Sequence, residues 1–289
     1  MDELNNYELQ NREYSKEEYA EYKKNEKQQV YAMIDVSTNK AVSNSNEFKK
    51  YLDTQSKFEQ YSVGNALLIT AQMPEATQLR DYESWKNNGA YLKKYSKAIK
   101  ILEPGDEYMR EDGTITRNYN VKNMYDISQV NSKSRPKQMK FNDKILLQIF
   151  LNSSSAKIKV VDTIQNTDRK ALYDPNENTL FITRGAGAET PAIFYEVAEE
   201  LSKQEIGADL YKNYCVSYML CKKYGIDVSH YNFDKVVATL NGRESKEIRD
   251  ELEPVNKSMK EISDRISEQV QSLTKESKNK ETKNRENVR

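Results

Sequence analysis

The sequence predicts an α+β protein of two domains followed by a long C-terminal helix. Short β-branched segments bounded by turn residues alternate with amphipathic helical segments through the middle of the chain. The segment Val130–Gln138 is polar and basic and contains Pro136, which is typical of a linker. Between Ile248 and Leu273, apolar residues recur at steps of three and four, the period of a helix with one buried face.

Composition restricts the class of protein further. The chain has 289 residues, of which 37% are hydrophobic and 31% charged, and its formal net charge is zero. This length fits two modest domains, and the low apolar share predicts polar ends around a compact middle. The chain has two cysteines, no secretory pattern at its start and no apolar run of membrane-spanning length. We therefore expect a cytoplasmic protein without disulfides, membrane contact or cofactor.

The first third of the chain is predicted to contain an arm and a domain. Residues 1–28 are dense in charge and predict a charged helical or disordered arm. Residues 29–130 form the predicted first domain, which begins with a short strand, a polar turn and a helix from about Ser45. Further on, Ala98–Leu102 is predicted as a strand, and a turn at Asp112-Gly113 predicts a hairpin.

One stretch of this domain, Phe58–Pro104, combines aromatic rings, side-chain amides and lysines. These are the groups that stack on the bases and neutralise the phosphates of single-stranded nucleic acid. No acidic residue occurs from Tyr91 to Lys100, although any single aromatic residue of the stretch fits a hydrophobic core as well. Tyr82 offers a further ring. The candidate nucleic-acid-binding residues are Tyr61, Asn65, Gln72, Trp85, Tyr91, Lys93, Lys94, Tyr95, Lys97 and Lys100.

Ordered motifs follow one another through the same stretch. They are a Tyr-Ser-x-x-Asn helix start at Tyr61, a Gln-x-Pro-x-Ala-Thr turn at Gln72, a Tyr-x-x-Trp pair ending at Trp85 and a closing segment Met124–Gln129. In this order they resemble the N-terminal domain of the ArdC-type antirestriction family, whose members bind single-stranded DNA. The resemblance implies single-stranded DNA as a partner. It also implies an accessory protein of a mobile or conjugative element that helps the entering strand to survive host restriction.

After a predicted linker at residues 131–139, residues 140–240 form the predicted second domain. The elements predicted there are a helix from about Asn142 to Leu151, a strand Ile158–Val161, hairpin arms Ala171–Tyr173 and Thr179–Thr183, and a helix that Thr190 caps and Pro191 opens. The helix after Pro191 has an apolar face, and its opposite face carries Tyr195, Glu196 and Glu199.

In the ArdC-type family, this second domain is similar to a zincin metallopeptidase, and the helix bears His-Glu-x-x-His. Two histidines four residues apart share a helix face and bind zinc, and the glutamate activates water. Here the segment begins at Tyr195 and ends at Glu199, only Glu196 matches the motif, and the chain has one histidine, His230. The next helix has Lys212, Asn213 and Tyr214 where the family's third ligand is expected. The resemblance therefore implies a zincin-like fold with a degenerate site, without metal and without catalytic residues.

Two other functions fit the same residues. Glu196 and Glu199 could act as paired carboxylates in a metal-independent hydrolase, since neighbouring acids can separate their pKa values; such pairs on a helix are more often a solvated acidic surface. The alternative from another class is a protein-interaction module built on a pseudo-metallopeptidase domain. Its partner would bind to the zincin-like domain or to the C-terminal helix.

The end of the chain is predicted as a helix and a tail. In residues 241–274 the near-heptad apolar stripe fits a helix folded along its own domain, and it also fits a coiled coil between chains. Pro254 would kink this helix or mark its start. Residues 275–289 have no apolar anchor before Val288 and predict a disordered, mildly basic tail.

Overall fold

The computed structural model describes residues 15–110, 112–131 and 141–286, with side chains to residue 273. Nearly all of the predicted linker and the first half of the predicted arm lie outside these residues. The helices are α1 (Lys16–Ala41), α2 (Ser45–Lys57), α3 (Val63–Gln72), α4 (Tyr82–Asn87), α5 (Asp143–Asn152), α6 (Ala192–Ile206), α7 (Leu210–Lys223), α8 (Asp234–Leu240) and α9 (Ser245–Glu286). The strands are β1 (Leu79–Arg80), β2 (Tyr91–Leu92), β3 (Ile99–Met109), β4 (Ile115–Asp126), β5 (Val130–Asn131), β6 (Lys157–Val161), β7 (Ala171–Asp174) and β8 (Thr179–Thr183).

The first helix replaces a predicted strand. We expected a short strand near Val30, but α1 runs without interruption through this region. Ser15 accepts a hydrogen bond from the backbone N–H of Glu18 in a capping box that starts the helix. Val30 and Ile34, four residues apart, are buried together with Leu68 of α3. The β-branched residues thus form a helix face, because their spacing matches the helical period.

The first sheet is antiparallel and has the strand order β1-β4-β3, while β2 pairs with β5. In the β3–β4 hairpin, Ile99 lies opposite Met124. The predicted turn at Asp112-Gly113 is present, and Gly113 has a φ of +81°, which glycine adopts readily. Strands β3 and β4 pair on either side of this turn, where Met109 lies opposite Ile115.

The second sheet has the order β6-β8-β7, in which β6 is parallel and β7 antiparallel to β8. Strand β8 has the predicted bounds, and β6 and β7 differ from the predicted strands by one residue. Asn142 caps α5, as its sequence position suggests. The predicted cap of α6 is corrected: Pro191 occupies the N-cap position, and Thr190 makes no cap bond there.

The largest hydrophobic core joins residues from both sides of the predicted linker. Phe48 of α2 packs on Phe233, with ring centroids 5.4 Å apart, and both belong to one buried cluster with α6 and α7. The Tyr218 hydroxyl of α7 donates to Asp53 of α2 over 2.6 Å. The mixed α and β content is as predicted. Because one core is shared by both parts of the chain, the division into two domains is not confirmed and stays a prediction.

The last helix lies along this shared core. The apolar stripe of α9 from Ile248 to Ile266 is buried, so the interpretation as a helix folded back on its own chain is confirmed. Arg249 pairs with Asp35 of α1 at 2.8 Å, and Arg265 donates to the Ser153 carbonyl at 2.6 Å. One helix therefore contacts elements from before and after the predicted linker.

Two details of the predicted C-terminal region are wrong. Pro254 lies inside α9, so the alternative in which it marks the start of the helix is wrong, and the alternative of a kink stays a prediction. The helix also continues to Glu286, so the expectation of a disordered tail is corrected; the tail is rich in lysine and glutamate, which favour helices even without an apolar face. Within the described residues, no helix is both long and apolar enough to cross a membrane.

Candidate nucleic-acid interface

The predicted binding residues Tyr91, Lys93, Lys94, Tyr95 and Lys97 lie on one exposed segment, residues 91–97, which we name the basic loop. The side chains of Tyr91 and Tyr95 are 58% and 76% exposed, and the three lysines are exposed as well. A bound strand would therefore find rings and ammonium groups on the same surface, which is the combination that single-strand binding requires.

The base of the basic loop is fixed by hydrogen bonds to residues 128–131. Strand β2 pairs with β5, the Lys93 N–H donates to the Gln129 carbonyl at 2.8 Å, and the Gln129 side chain donates to the Lys97 carbonyl at 2.7 Å. The Lys93 ammonium donates to the Ser128 carbonyl at 2.7 Å and thereby helps to anchor the loop. Within the described residues, Lys94 and Lys97 have no carboxylate partner. These two lysines are the freest charges of the loop.

Tyr95 has an unusual backbone. Its φ of 67° lies in the left-handed region, which bulky residues rarely adopt and which costs on the order of 1 kcal/mol. Core packing does not compensate for this cost, because the ring is the most exposed of the loop. The Lys94 ammonium lies 4.8 Å from the ring centroid, so a ring and a positive charge are presented together. Strain of this kind, without a packing benefit, is typical of functional positions.

Two of the other predicted residues use their amides inside the fold. The Asn65 side chain donates to the Leu102 carbonyl and accepts from the Leu102 N–H, both at 2.8 Å. Gln72 makes the same pair of bonds with the backbone of Lys100, both at 2.9 Å. The two amides thus attach α3 to strand β3. Because their polar atoms are already paired, we leave them out of the candidate surface.

Trp85, Tyr61 and Lys100 also make structural contacts. The Trp85 ring is 4% exposed, and its N–H donates to the Tyr125 carbonyl at 2.8 Å. Tyr61 is half-buried and packs on Phe58. Lys100 forms an ion pair with Glu26 at 2.9 Å. These three residues belong to the scaffold that holds the basic loop.

The exposed ring of Tyr82, named above as a further ring, has a lysine neighbour that was not predicted. On α4, the Lys86 ammonium lies 6.0 Å from the centroid of the Tyr82 ring, and this ring is 45% exposed. Trp85 on the same helix faces the core beside Val130, which follows from the helical period. The four-residue spacing of Tyr82 and Lys86 was the available signal, since such neighbours meet on a helix surface.

Helix α6 uses its acidic side chains to bind strand β7. The Glu196 carboxylate accepts from the N–H groups of Lys170 and Ala171, at 2.6 and 3.0 Å. The Glu200 carboxylate accepts from the Tyr173 N–H at 2.9 Å. The Lys170 carbonyl accepts from the Thr183 N–H of β8. In an antiparallel pair, alternate residues bond to the neighbouring strand, so the N–H groups of Ala171 and Tyr173 point away from β8 and towards α6. The outer edge of β7 is thus paired with glutamates.

The predicted solvated acidic face is therefore corrected. Glu196 and Glu199 are only partly exposed, and Glu199 pairs with Arg169 at 2.9 Å. Glu200, which the sequence analysis did not single out, is fully buried and contacts Arg169 at 3.0 Å and Lys203 at 2.6 Å. We name Glu196, Glu199 and Glu200 the glutamate cluster. Its charges are compensated within the fold, as buried carboxylates require.

The residues that the resemblance places at the family's ligand positions make contacts within the fold. The Tyr195 hydroxyl donates to the Asp227 carbonyl at 2.6 Å, and its ring lies 4.1 Å from that of His230. Asn213 is buried and bonds to Ser202 at 2.7 Å. Within the described residues, no group of three His, Cys, Asp or Glu side chains is arranged to hold a metal ion. Absence of catalysis stays a prediction.

Comparisons with known proteins gave matches among solved structures. No family model and no curated protein matches the chain. The solved structures that match the chain include two of one antirestriction protein. The metal-free crystal structure of the antirestriction ArdC protein from plasmid R388 shares 13% identity at a TM-score of 0.46, over 72% of this chain and 86% of that one. The Mn(II)-bound structure of the same protein gives 12% identity and 0.45, over 75% and 97%. Both belong to the family whose motifs the sequence resembles, and the likeness concerns the fold alone.

Proposed function

We propose that this chain is a non-catalytic single-stranded-DNA-binding accessory protein with an antirestriction-like role on a mobile or conjugative element. The basic loop is the observation that carries the proposal. It presents the exposed ring of Tyr95 on a strained backbone, beside Lys94 and Lys97, which have no carboxylate partner within the described residues. The biological role follows from the ordered motifs that resemble the ArdC-type family.

The proposed mechanism is coating of the strand. Lys94 and Lys97 neutralise phosphates, while Tyr91 and Tyr95 stack on unpaired bases; each stacked base contributes about 1 to 3 kcal/mol. Bases inside a duplex already stack on one another and offer no free face, so the loop favours single strands. Binding by charge and stacking breaks no covalent bond, so the proposed function requires no catalytic residue.

A fluorescence-anisotropy titration tests the proposal. A labelled single-stranded oligonucleotide and its duplex are titrated with the protein at several salt concentrations, and with the variant K94A/K97A. We expect preference for the single strand and an affinity that falls with salt by about 0.7 log units per log unit for each phosphate contacted. The variant should bind more weakly and with a smaller salt slope.

The matched control removes two exposed lysines elsewhere. Lys246 and Lys260 lie exposed on α9, far along the chain from the basic loop. The variant K246A/K260A changes the net charge by the same amount and should keep the affinity of the native protein. Equal, weak binding to single strand and duplex, unchanged in K94A/K97A, would refute the proposal.

The second candidate function is a protein-interaction module, and the glutamate cluster favours it. Glu196, Glu199 and Glu200 maintain the α6–β7 contact by hydrogen bonds and ion pairs. An α6–β7 contact fixed in this way presents a rigid surface to which a protein partner can bind without being cleaved. A partner that is retained by the native protein and by K94A/K97A alike, together with weak DNA binding, would favour this function over the first.

A further inference from the structure

The second sheet has one paired and one open edge. Strand β6 bonds to β8 through alternate residues: the Lys157 N–H donates to the Asn178 carbonyl at 3.1 Å, and the Val161 carbonyl accepts from the Arg184 N–H at 2.7 Å. The backbone groups of Ile158 and Val160 therefore point away from β8. In the part of the chain that the structure describes, these groups have no hydrogen-bond partner. The opposite edge, β7, is paired with the glutamate cluster.

The two faces of β6 differ in chemistry. Ile158 and Val160 register with Leu180 and Ile182 of β8, which are buried, yet they are themselves 42% and 58% exposed. The apolar face of the sheet thus extends beyond the helices that cover β8. The opposite face of β6 carries two exposed lysines, and neither has a carboxylate within ion-pair distance among the described residues; they are Lys157 and Lys159.

We infer that the β6 edge binds an extended segment of another protein in which acidic and apolar residues alternate. An added strand pairs its backbone with Ile158 and Val160, and every second side chain falls on each face. Apolar residues would then cover Ile158 and Val160, and acidic residues would lie beside Lys157 and Lys159. This charge pattern defines the occupant.

The same pattern argues against a second copy of the chain. Antiparallel pairing of two β6 strands about Lys159 places the two Lys159 side chains opposite each other, and like charges directly opposite are destabilising. Parallel pairing of the same two edges would place the lysines of each copy on the apolar face of the other. A segment with acids at alternate positions forms favourable pairs instead. The inference does not rest on DNA binding, because β6 and the basic loop share no residue.

The test is an anisotropy titration of the full chain with a labelled octapeptide of alternating glutamate and valine. We expect saturable binding, weaker by about fivefold to tenfold in the variant K157E/K159E. An octapeptide of alternating lysine and valine should show the reverse preference and bind this variant more tightly than the native protein. Failure of the charge reversal to exchange the two preferences would overturn the inference.

Backbone pairing is tested separately. V160P removes an N–H that points away from β8. It should weaken peptide binding by more than tenfold and leave the β6–β8 hydrogen bonds in place. The control V160T keeps the N–H and should keep the affinity.

Peptide N-methylation tests the pairing without changing the protein. Two octapeptides are compared, one methylated at the backbone nitrogens of the valines and one at those of the glutamates. One of them should lose binding, and the other should keep it. The sensitive peptide reports whether the strand is parallel or antiparallel to β6. Equal binding of both methylated peptides would show that no strand pairing occurs and would refute the proposal.

Discussion

Substitution E200Q should destabilise the protein more than any other single change in the glutamate cluster. One carboxylate oxygen of Glu200 accepts from the Tyr173 N–H, and the other contacts Arg169 and Lys203. A glutamine can keep the first bond, but its NH₂ group then faces two cations. Loss of two charge-assisted contacts at a fully buried site costs about 2 to 4 kcal/mol.

The neighbouring glutamates provide matched controls for this prediction. Glu199 makes one ion pair and is 21% exposed, so E199Q should cost less than about 1 kcal/mol. Glutamine at position 196 can still accept from both N–H groups through one oxygen, so E196Q should fall between the two other variants.

The assay is urea unfolding followed by far-ultraviolet circular dichroism and by tryptophan fluorescence. The chain has one tryptophan, Trp85, which reports on the first sheet, while circular dichroism reports on the helices. At constant m-value, the midpoint should fall in the order E199Q, E196Q, E200Q, with E200Q the least stable. Equal midpoints for E200Q and E199Q would refute the reasoning that links burial of this carboxylate to stability.

Three further predictions follow from the same contacts. Y95G should raise the free energy of unfolding by about 0.5 to 1 kcal/mol, because glycine adopts the left-handed backbone without strain, and should weaken binding of a single strand by about fivefold or more; a parallel fall of stability and affinity in urea and anisotropy titrations would contradict the assignment of Tyr95. N65L and Q72L should each cost about 1 to 3 kcal/mol in urea unfolding, since both leave backbone groups of β3 unpaired, whereas direct contact of these amides with DNA would lower affinity without lowering stability. Burial raises the pKa of the Cys215 thiol well above its usual range and that of Cys221 to about 12, so a thiol reagent should label neither until urea unfolds the chain, and rapid labelling of the native protein would contradict their burial.

Elements with a clear period could be predicted from the sequence. Strand β8 and the buried stripe of α9 follow from alternation and from three-and-four spacing, since both patterns record which side chains face a core. The prediction of a strand at Val30 was wrong, because β-branched residues also occur in helices when tertiary packing favours them. The predicted end of α9 at residue 274 was wrong for a related reason, because a charged segment can be helical without an apolar face.

The candidate site was predictable only in part. Tyr91 and Tyr95 were selected as aromatic residues of a basic segment, and the structure exposes both. Asn65 and Gln72 have the same residue types as base-reading amides, but their partners lie on β3, distant in sequence, and no local pattern reveals them. Glu200 was overlooked because two of its partners, Arg169 and Tyr173, lie outside α6. Long-range backbone contacts of polar side chains are thus the information that composition and spacing lack.

The position of α9 has a consequence for the order in which the chain can fold during synthesis. The apolar residues from Ile248 to Ile266 complete a core that α2 and α3 begin, and Arg249 joins the helix to α1. The N-terminal helices therefore cannot bury this core until α9 has also been synthesised. Shortened forms that end before Ser245 expose an apolar groove and should be recognised by chaperones and proteases. Presence of α9 is thereby a condition for escaping cellular quality control, and copies that lack this helix should not accumulate.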